Sequence, residues 1–337
     1  MTVEQIALLA GVAVVAFALS AALGKWMIPV LHRLKFGQTI REIGPAWHQK
    51  KQGTPTMGGV LFIFGAIAAV LAGMVVCELV FEITLFTGTP ASLTRLFGGI
   101  IMAICCGFIG FADDYIKVVK KRNLGLTSLQ KLMAQLLVSL GYACSVYLSG
   151  GTDIYVPFLG TVYLGVWYIP VCMFLVVGFS NATNLTDGVD GLCGSVTVVA
   201  AGAFLVAAAV LGYYGQALWA AALIGALLGF LVWNLHPAKV FMGDTGSLFL
   251  GGALCAVAFG IGHPLLLLPF GVVYVIETAS VILQVGYFKL THGKRLFKMS
   301  PIHHHFEMCG WKENTIVGVS CVVTMAVSAL ALWLLLR

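Results

Sequence analysis

Ten runs of mostly apolar residues, each near the length that crosses a bilayer, constrain this chain more than any other feature of its sequence. A spanning helix needs about 20 such residues at about 1.5 Å rise each. The runs fall at roughly 5–24, 57–76, 96–112, 132–149, 162–180, 192–211, 216–233, 247–261, 265–288 and 315–336. The third and eighth are short, and the ninth is long. With 60% hydrophobic and 9% charged residues among 337, and a mean hydropathy of +1.00, a soluble domain is excluded. The expected fold is all-α: a polytopic integral membrane protein whose ten transmembrane helices form one domain over residues 1–337. The first run could pass for a secretory signal. Glu4 stands where a basic region should be, however, and no small-residue cleavage site precedes Lys25, so it reads as a retained helix.

Ten crossings put both termini on one side, and the basic residues decide which. The loops after spans one, three, five, seven and nine carry 17 of the 19 lysines and arginines, leaving only Arg95 and Arg337 opposite. The positive-inside rule makes those loops cytoplasmic and the termini external. The aspartates took no part in that count. Five of the six (Asp113, Asp114, Asp187, Asp190 and Asp244) nevertheless fall on the same side beside span ends, and only Asp153 does not. A membrane face that collects both signs of charge holds a polar site. The net charge of +6 suits an anionic substrate and anionic lipid headgroups. The nine cysteines contain no C-x-x-C pair. Eight lie within or at the ends of spans, where a thiol behaves as a small hydrophobe, and Cys309 lies in a reducing cytoplasmic loop. Neither a disulfide nor a zinc site is expected.

The densest polar motif is Asn181-Ala-Thr-Asn184-Leu-Thr-Asp187-Gly-Val-Asp190-Gly191, with an amide or acid at every third position and no lysine or arginine. At about 100° per residue these side chains wind roughly 180° around an α-helix, whereas a 3₁₀ turn would stack them in one column. Gly188 and Gly191 allow the backbone close to a ligand. A loop chosen for turn chemistry alone needs one or two such residues, not four in register. Two aspartates without an internal cation require a positive partner: a divalent metal ion or a donor-rich substrate.

Four further stretches carry chemistry. Span three ends in Asp113-Asp114-Tyr-Ile-Lys117, where adjacent carboxylates project about 100° apart and take different roles. Asp113 and Lys117 share a face at i,i+4, and Asp114 gains no partner from that pair. Lys131, just before span four, is a second cation near this site. The loop after span seven contains Asn234, His236 and Phe241, then Gly243-Asp244-Thr-Gly246. Asp244 is its only carboxylate and suits a magnesium ligand, against the plainer reading of a glycine-rich turn that caps a helix. The first cytoplasmic loop ends in His48-Gln-Lys-Lys51-Gln-Gly53-Thr54-Pro-Thr56-Met-Gly-Gly59. It reads either as turn chemistry or as a phosphate loop of exposed amides and hydroxyls with Lys51 as its charge. Glu277 lies inside span nine, a costly placement that faces protein rather than lipid. Beyond it runs Pro301-Ile-His303-His304-His305-Phe-Glu307. With lysines on both sides, this triplet suits hydrogen bonds to an anion better than a transition-metal tract.

Aspartates on three loops, with lysines and histidines around them at a membrane boundary, resemble a magnesium-dependent phosphoryl-transfer site, where positioning and charge neutralisation do most of the catalysis. The membrane setting suggests a lipid substrate. The Asp113, Asn181, Gly243 and Pro301 motifs resemble those of the polyprenyl-phosphate N-acetylhexosamine-1-phosphate transferases, in the same order from about His48 to Glu307 and with ten spans. The resemblance implies Mg2+ as cofactor, UDP-N-acetylmuramoyl-pentapeptide and undecaprenyl phosphate as substrates, and UMP and lipid I as products of bacterial peptidoglycan synthesis. It implies an active site on the cytoplasmic face of the inner membrane. Asp113, Asp114 and Asp244 become the catalytic carboxylates, with Asp113 as base or nucleophile and Asp114 and Asp244 at the metal. Asn184, Asp187, Asp190, Asn234 and Phe241 match nucleotide and metal-site positions. Lys51, Lys131, His303, His304 and His305 would contact phosphates or the sugar, and Thr54, Lys117 and Asn181 complete the substrate-binding set. A homodimer is compatible with this reading, and no nucleic-acid partner is expected. A sister transferase using UDP-N-acetylglucosamine would share the aspartates, but the histidine triplet and the Gly53-Thr-Pro-Thr-Met loop argue against it. A magnesium or anion transporter would space its carboxylates through the bilayer, and no inverted repeat is visible.

Overall fold

The computed structural model describes residues 1–33, 53–80, 89–120 and 124–337. Among these residues, ten helical stretches are long and apolar enough to cross a membrane. In chain order come α1 (Val3–Arg33) and α2 (Gly59–Val80). Next, α3 (Pro90–Leu93), a π-helical turn (Thr94–Gly98) and α4 (Gly99–Val119) run on as one span of 30 residues. After α5 (Ser128–Leu148), strands β1 (Asp153–Val156) and β2 (Gly160–Tyr163) pair antiparallel with Asp153 opposite Tyr163. The chain continues through α6 (Tyr168–Thr186), α7 (Leu192–Val210), α8 (Tyr214–Asn234) and α9 (Gly243–Gly260). It closes with α10 (Leu267–Phe270), α11 (Val272–Leu290), α12 (Ile302–Met308) and α13 (Glu313–Leu335).

Four spans differ most from their hydropathy limits. The first, expected at 5–24, runs on to Arg33. The third, read as short at 96–112, carries on to Val119 because the carboxylates and lysine that end its apolar run find partners on other helices. The fifth was expected at 162–180. Its first residues belong to β2 and its helix extends to Thr186, which places Asn181 and Asn184 on helical backbone. The long ninth breaks at Gly271, where α10 stops and α11 begins.

Helix α9 is the axis of the bundle. In its most apolar stretch 94% of residues are buried, against 22% for α1 and α13, and it packs chiefly on α4, α6 and α2. Small residues make this closeness possible, as they do between helices in lipid generally. At Gly110 of α4, an added Cβ would overlap the Asp244 carbonyl at the start of α9. The outward residues of peripheral helices, such as Leu137, Phe174, Ile282 and Val322, are exposed and apolar, as a lipid-facing surface requires.

The two ends of the bundle carry different charge. The ends of α4 and α6 meet the beginnings of α5 and α9, and the acidic motifs gather there. At the opposite end Arg95, only 6% exposed, clamps the hairpin. Its Nη2 donates to the Gly151 carbonyl (2.6 Å), the Asp153 carbonyl (2.7 Å) and Asp153 Oδ1 (2.8 Å). One of the two arginines and the lone aspartate that charge counting assigned to that side of the chain thus form one ion pair.

Because the α4–α9 contact leaves no room for a methyl group, Gly110→Ala is expected to cost about 1–3 kcal/mol of stability through overpacking. The loss should register as a lowered melting temperature in detergent. An unchanged value would mean that α9 can shift without cost.

Candidate active site

Three carboxylates meet where α4 ends and α9 begins. Asp113 and Asp114 occupy the last two turns of α4 and Asp244 the first turn of α9, and one oxygen of each lies within 4.8 Å of the others. The Asp113 and Asp114 side chains are 4% and 3% exposed, and that of Asp244 is 19%. Like charges this close cannot all remain ionised without partners. Two ammonium groups arrive from different elements. Lys117 Nζ, on α4, contacts Asp113 Oδ2 and lies 3.1 Å from Asp244 Oδ2 and 3.8 Å from Asp114 Oδ1. Lys131 Nζ lies 3.0 Å from Asp244 Oδ2. Its departure point is fixed by the capping box of α5, in which Thr127 and Gln130 satisfy each other's backbone amides.

Neutral donors fill the remaining positions. The Leu126 amide donates to Asp113 Oδ1 (2.8 Å). Thr245 donates twice to Asp114 Oδ2, from its amide at 2.9 Å and its hydroxyl at 2.7 Å. Asn184 Nδ2 donates to Asp244 Oδ1 (2.8 Å) and Ser247 Oγ (2.9 Å), and Thr183 Oγ1 donates to the Ser247 carbonyl (2.7 Å), stitching α6 to α9. The expected i,i+4 pair of Asp113 and Lys117 is present. Asp114, which has only the more distant Lys117 ammonium in its own stretch of sequence, finds hydrogen-bond donors 131 residues later.

Asp187 follows the last residue of α6. Burial, and then the charges of Asp244, Asp114 and Asp190, push its carboxyl up to about 8. Every charge acting on it is negative, so the positive partner demanded by the sequence is not among the described side chains. Asp190 belongs to a neighbouring group. Its Oδ2 accepts from the Ala238 amide (3.0 Å) and meets His236 Nδ1 (3.1 Å), which lies 3.6 Å from Glu313 Oε1. A half-open cavity of about 560 Å³ adjoins it, walled by His236, Glu307, Trp311, Lys312 and Glu313.

Several residues read from the sequence as ligand contacts also make hydrogen bonds within the protein. Asn181 Nδ2 donates to Gln135 Oε1 (3.0 Å) and the Val177 carbonyl (2.8 Å), turned by the helix away from its neighbour Asn184. Asn234 is 2% exposed and joins two loops: Oδ1 accepts from the Gly191 amide (3.2 Å), and Nδ2 donates to the Val240 carbonyl (2.9 Å). The loop before α2 does not offer all its amides to a phosphate. Gly58 and Gly59 donate to the carbonyls of Phe241 and Met242 at 2.8 and 3.0 Å, and Phe241 donates back to Pro55 at 2.8 Å. Thr54 is half-buried beside this pairing, and Lys51 and His48 lie outside the described residues.

The histidines are also engaged. His303 Nδ1 lies 3.0 Å from Glu277 Oε2 and His304 Nδ1 lies 2.6 Å from Glu307 Oε2, while His305 Nδ1 accepts from the Lys298 amide (3.1 Å). Glu277, 2% exposed, faces protein as expected. Sequence reasoning passed over Gln135, Thr245, Ser247 and Glu313 as ligands or braces. The threonine and serine lie inside a recognised motif but read there as helix-start residues, and only packing reveals their partners.

Comparison with known proteins fits this arrangement. Residues 96–261, which contain all three carboxylates and both lysines, match the model for glycosyl transferase family 4, so the bundle and its site define a membrane-embedded transferase. Residues 51–63 match phospho-N-acetylmuramoyl-pentapeptide-transferase signature 1. The chain is 48% identical over 315 residues to the phospho-N-acetylmuramoyl-pentapeptide-transferase of Clostridium perfringens (strain SM101 / Type A), covering 93% of this chain and 92% of the relative. The enzymes of that name from Bacillus thuringiensis (strain Al Hakam) and Halalkalibacterium halodurans are 47% and 45% identical over 328 and 323 residues, with 95% of each chain covered. The chain belongs to the phospho-N-acetylmuramoyl-pentapeptide-transferase family, and it is an enzyme.

The raised Asp187 carboxyl has a measurable effect on stability. An unfolded aspartate ionises near about 3.9, so between there and about 8 the native state binds the proton more tightly and loses stability as pH rises. In metal-free protein, the melting temperature of Asp187→Asn is expected to exceed that of wild type by a margin that widens from about pH 5 to about pH 8. Added magnesium should narrow that margin at the higher pH. A margin constant with pH would place the proton elsewhere.

Proposed function

We propose that this enzyme transfers phospho-N-acetylmuramoyl-pentapeptide from its UDP conjugate to undecaprenyl phosphate, releasing UMP and forming lipid I. The reaction depends on magnesium and takes place at the cytoplasmic face of a bacterial inner membrane, with both termini outside. The observation that carries this reading is the group of three carboxylates held by two lysines at one end of ten membrane helices. The distribution of lysines and arginines supports the orientation, and the names of the similar enzymes support the sugar-peptide donor.

The donor set fits magnesium. It consists of carboxylate oxygens, hard ligands that suit this ion better than a transition metal. Three carboxylates and two ammonium groups leave one formal negative charge, which a divalent cation reverses in favour of anionic phosphates. Asp114 and Asp244 would hold the ion, and Asp114 Oδ1 accepts no hydrogen bond among the described residues. Bound there, magnesium would neutralise charge on the donor diphosphate and on the departing nucleotide.

The protein's own groups do the positioning. Lys117 and Lys131 present ammonium groups beside Asp244, where phosphate oxygens arrive. Asp113 has both oxygens engaged, one by the Leu126 amide and one by Lys117. The attacking lipid phosphate has a second pKa near about 6 and is already largely deprotonated at neutral pH, so a general base contributes less than it would for an alcohol. Asp113 therefore orients Lys117 and the α4–α5 connection, while the lipid phosphate attacks the β-phosphorus directly and UMP leaves. All these groups come from one chain, so the site does not require a homodimer.

Purified protein given UDP-N-acetylmuramoyl-pentapeptide is expected to release UMP only with undecaprenyl phosphate and magnesium present. Asp244→Asn and Asp113→Asn should lower that rate by at least roughly a hundredfold. Equal use of UDP-N-acetylglucosamine would overturn the donor assignment, and trapping a phosphorylated enzyme with nucleotide sugar alone would replace direct attack with a covalent route.

A further inference from the structure

Glu277 and His303 form a buried pair that the reaction above does not use. Glu277 lies within the membrane crossing of α11 at 2% exposure, and His303, on α12, is 1% exposed. A carboxylate so placed is costly unless its oxygens are satisfied. Oε2 lies 3.4 Å from the His303 amide, which donates to it, and 3.0 Å from Nδ1 of the same residue. As a carboxylate, Glu277 can only accept, so Nδ1 carries the ring proton and donates to Oε2 as well. The other ring nitrogen is thereby set. His303 Nε2 is buried and has no hydrogen-bond partner among the described residues.

The direction in which this nitrogen is held is informative. It abuts Gly188, where an added Cβ would overlap it. Gly188 is not among the glycines with positive φ, so its missing side chain provides space for the imidazole rather than backbone freedom. The same glycine follows Asp187 and stands two residues before Asp190, which places the ring on the acidic turn between the two carboxylate groups. The next imidazole repeats the pattern, with His304 Nδ1 against Glu307 and the two rings 4.1 Å apart.

We propose that Glu277 is a positioning residue for donor binding. Acting through His303, it fixes the ring proton on Nδ1 and holds Nε2 against the turn at Gly188, where the nucleotide sugar is bound. The assignment rests on the transferase reading above. The partner of a metal- or substrate-facing histidine commonly sets its tautomer and orientation in this way, and its loss typically costs about 10–100-fold.

The test uses the purified full-length chain as wild type, Glu277→Gln, Glu277→Met and Gly188→Ala. Steady-state UMP release is measured together with long-range ¹H–¹⁵N spectra of ¹⁵N-histidine-labelled protein, in which His303 is identified by its loss in His303→Asn. Glu277→Gln keeps an oxygen that accepts from Nδ1, so it should retain the Nδ1–H signature and a KM within about threefold of wild type. Glu277→Met fills the same space without an acceptor. It should lose that signature and raise KM for UDP-N-acetylmuramoyl-pentapeptide on the order of tenfold, with kcat changed less. Gly188→Ala should raise the same KM. Unaltered KM in a folded Glu277→Met overturns the proposal, as does a loss of activity in both Glu277 variants that follows a lowered melting temperature. Absence of UMP release from wild type would overturn the transferase reading instead. In that case, Nδ1–H in wild type and its loss in Glu277→Met would still support the pair.

Discussion

Repulsion among Asp113, Asp114 and Asp244 sets the terms on which the rest of the molecule is built. Carboxylates with oxygens within 4.8 Å of one another, two of them nearly excluded from water, separate or protonate unless cations and donors hold them. No single helix could supply that set. Lys117 comes from α4, Lys131 from α5, Asn184 from α6 and Thr245 from α9, so four helices must end or begin at the same depth. The close glycine contact between α4 and α9 follows from this need, since Asp114 reaches the Thr245 amide only if the two backbones nearly touch.

The opposite end of the bundle is held with less. One buried guanidinium gathers two carbonyls and one carboxylate and fixes the hairpin between α5 and α6. Arg95 satisfies its donors internally, whereas Asp187 at the other end faces only like charge. The polarity of the fold is therefore more than a count of charges in loops: one end is closed by a single ion pair, and the other gathers several carboxylates around two lysines.

Much of this was legible in the sequence, and what was not has definite physical causes. Hydropathy locates ten spans because burial in lipid depends on composition, but it stops at the first charge. It therefore ended the third span at 112, although the helix runs to Val119. The acidic motifs were visible as unpaired carboxylates beside span ends. Their partners were not, because Asp114 and Thr245 meet only after the intervening helices pack. Three-residue spacing identified Asn181 and Asn184 together, yet the rotation between them sends one to Gln135 and the other to Asp244. The glycine-rich loop looked open because pairing with Phe241 and Met242 leaves no trace in composition. The histidines looked like free donors for the same reason, since Glu277 and Glu307 are remote or hidden within a short helix.

The burial of α9 bears on how such a chain can be made. Its best stretch has a mean hydropathy of only 1.2, the lowest among the ten crossings, yet it is the most buried. Alone in lipid, its polar first turn would be poorly solvated. The helices it packs on most, α4, α6 and α2, are all translated before it, whereas α11 and α13, which follow, dock on α6 and α7 at the edge. The socket for α9 therefore exists before its occupant is synthesised, and the order of the sequence is also a workable order of membrane insertion.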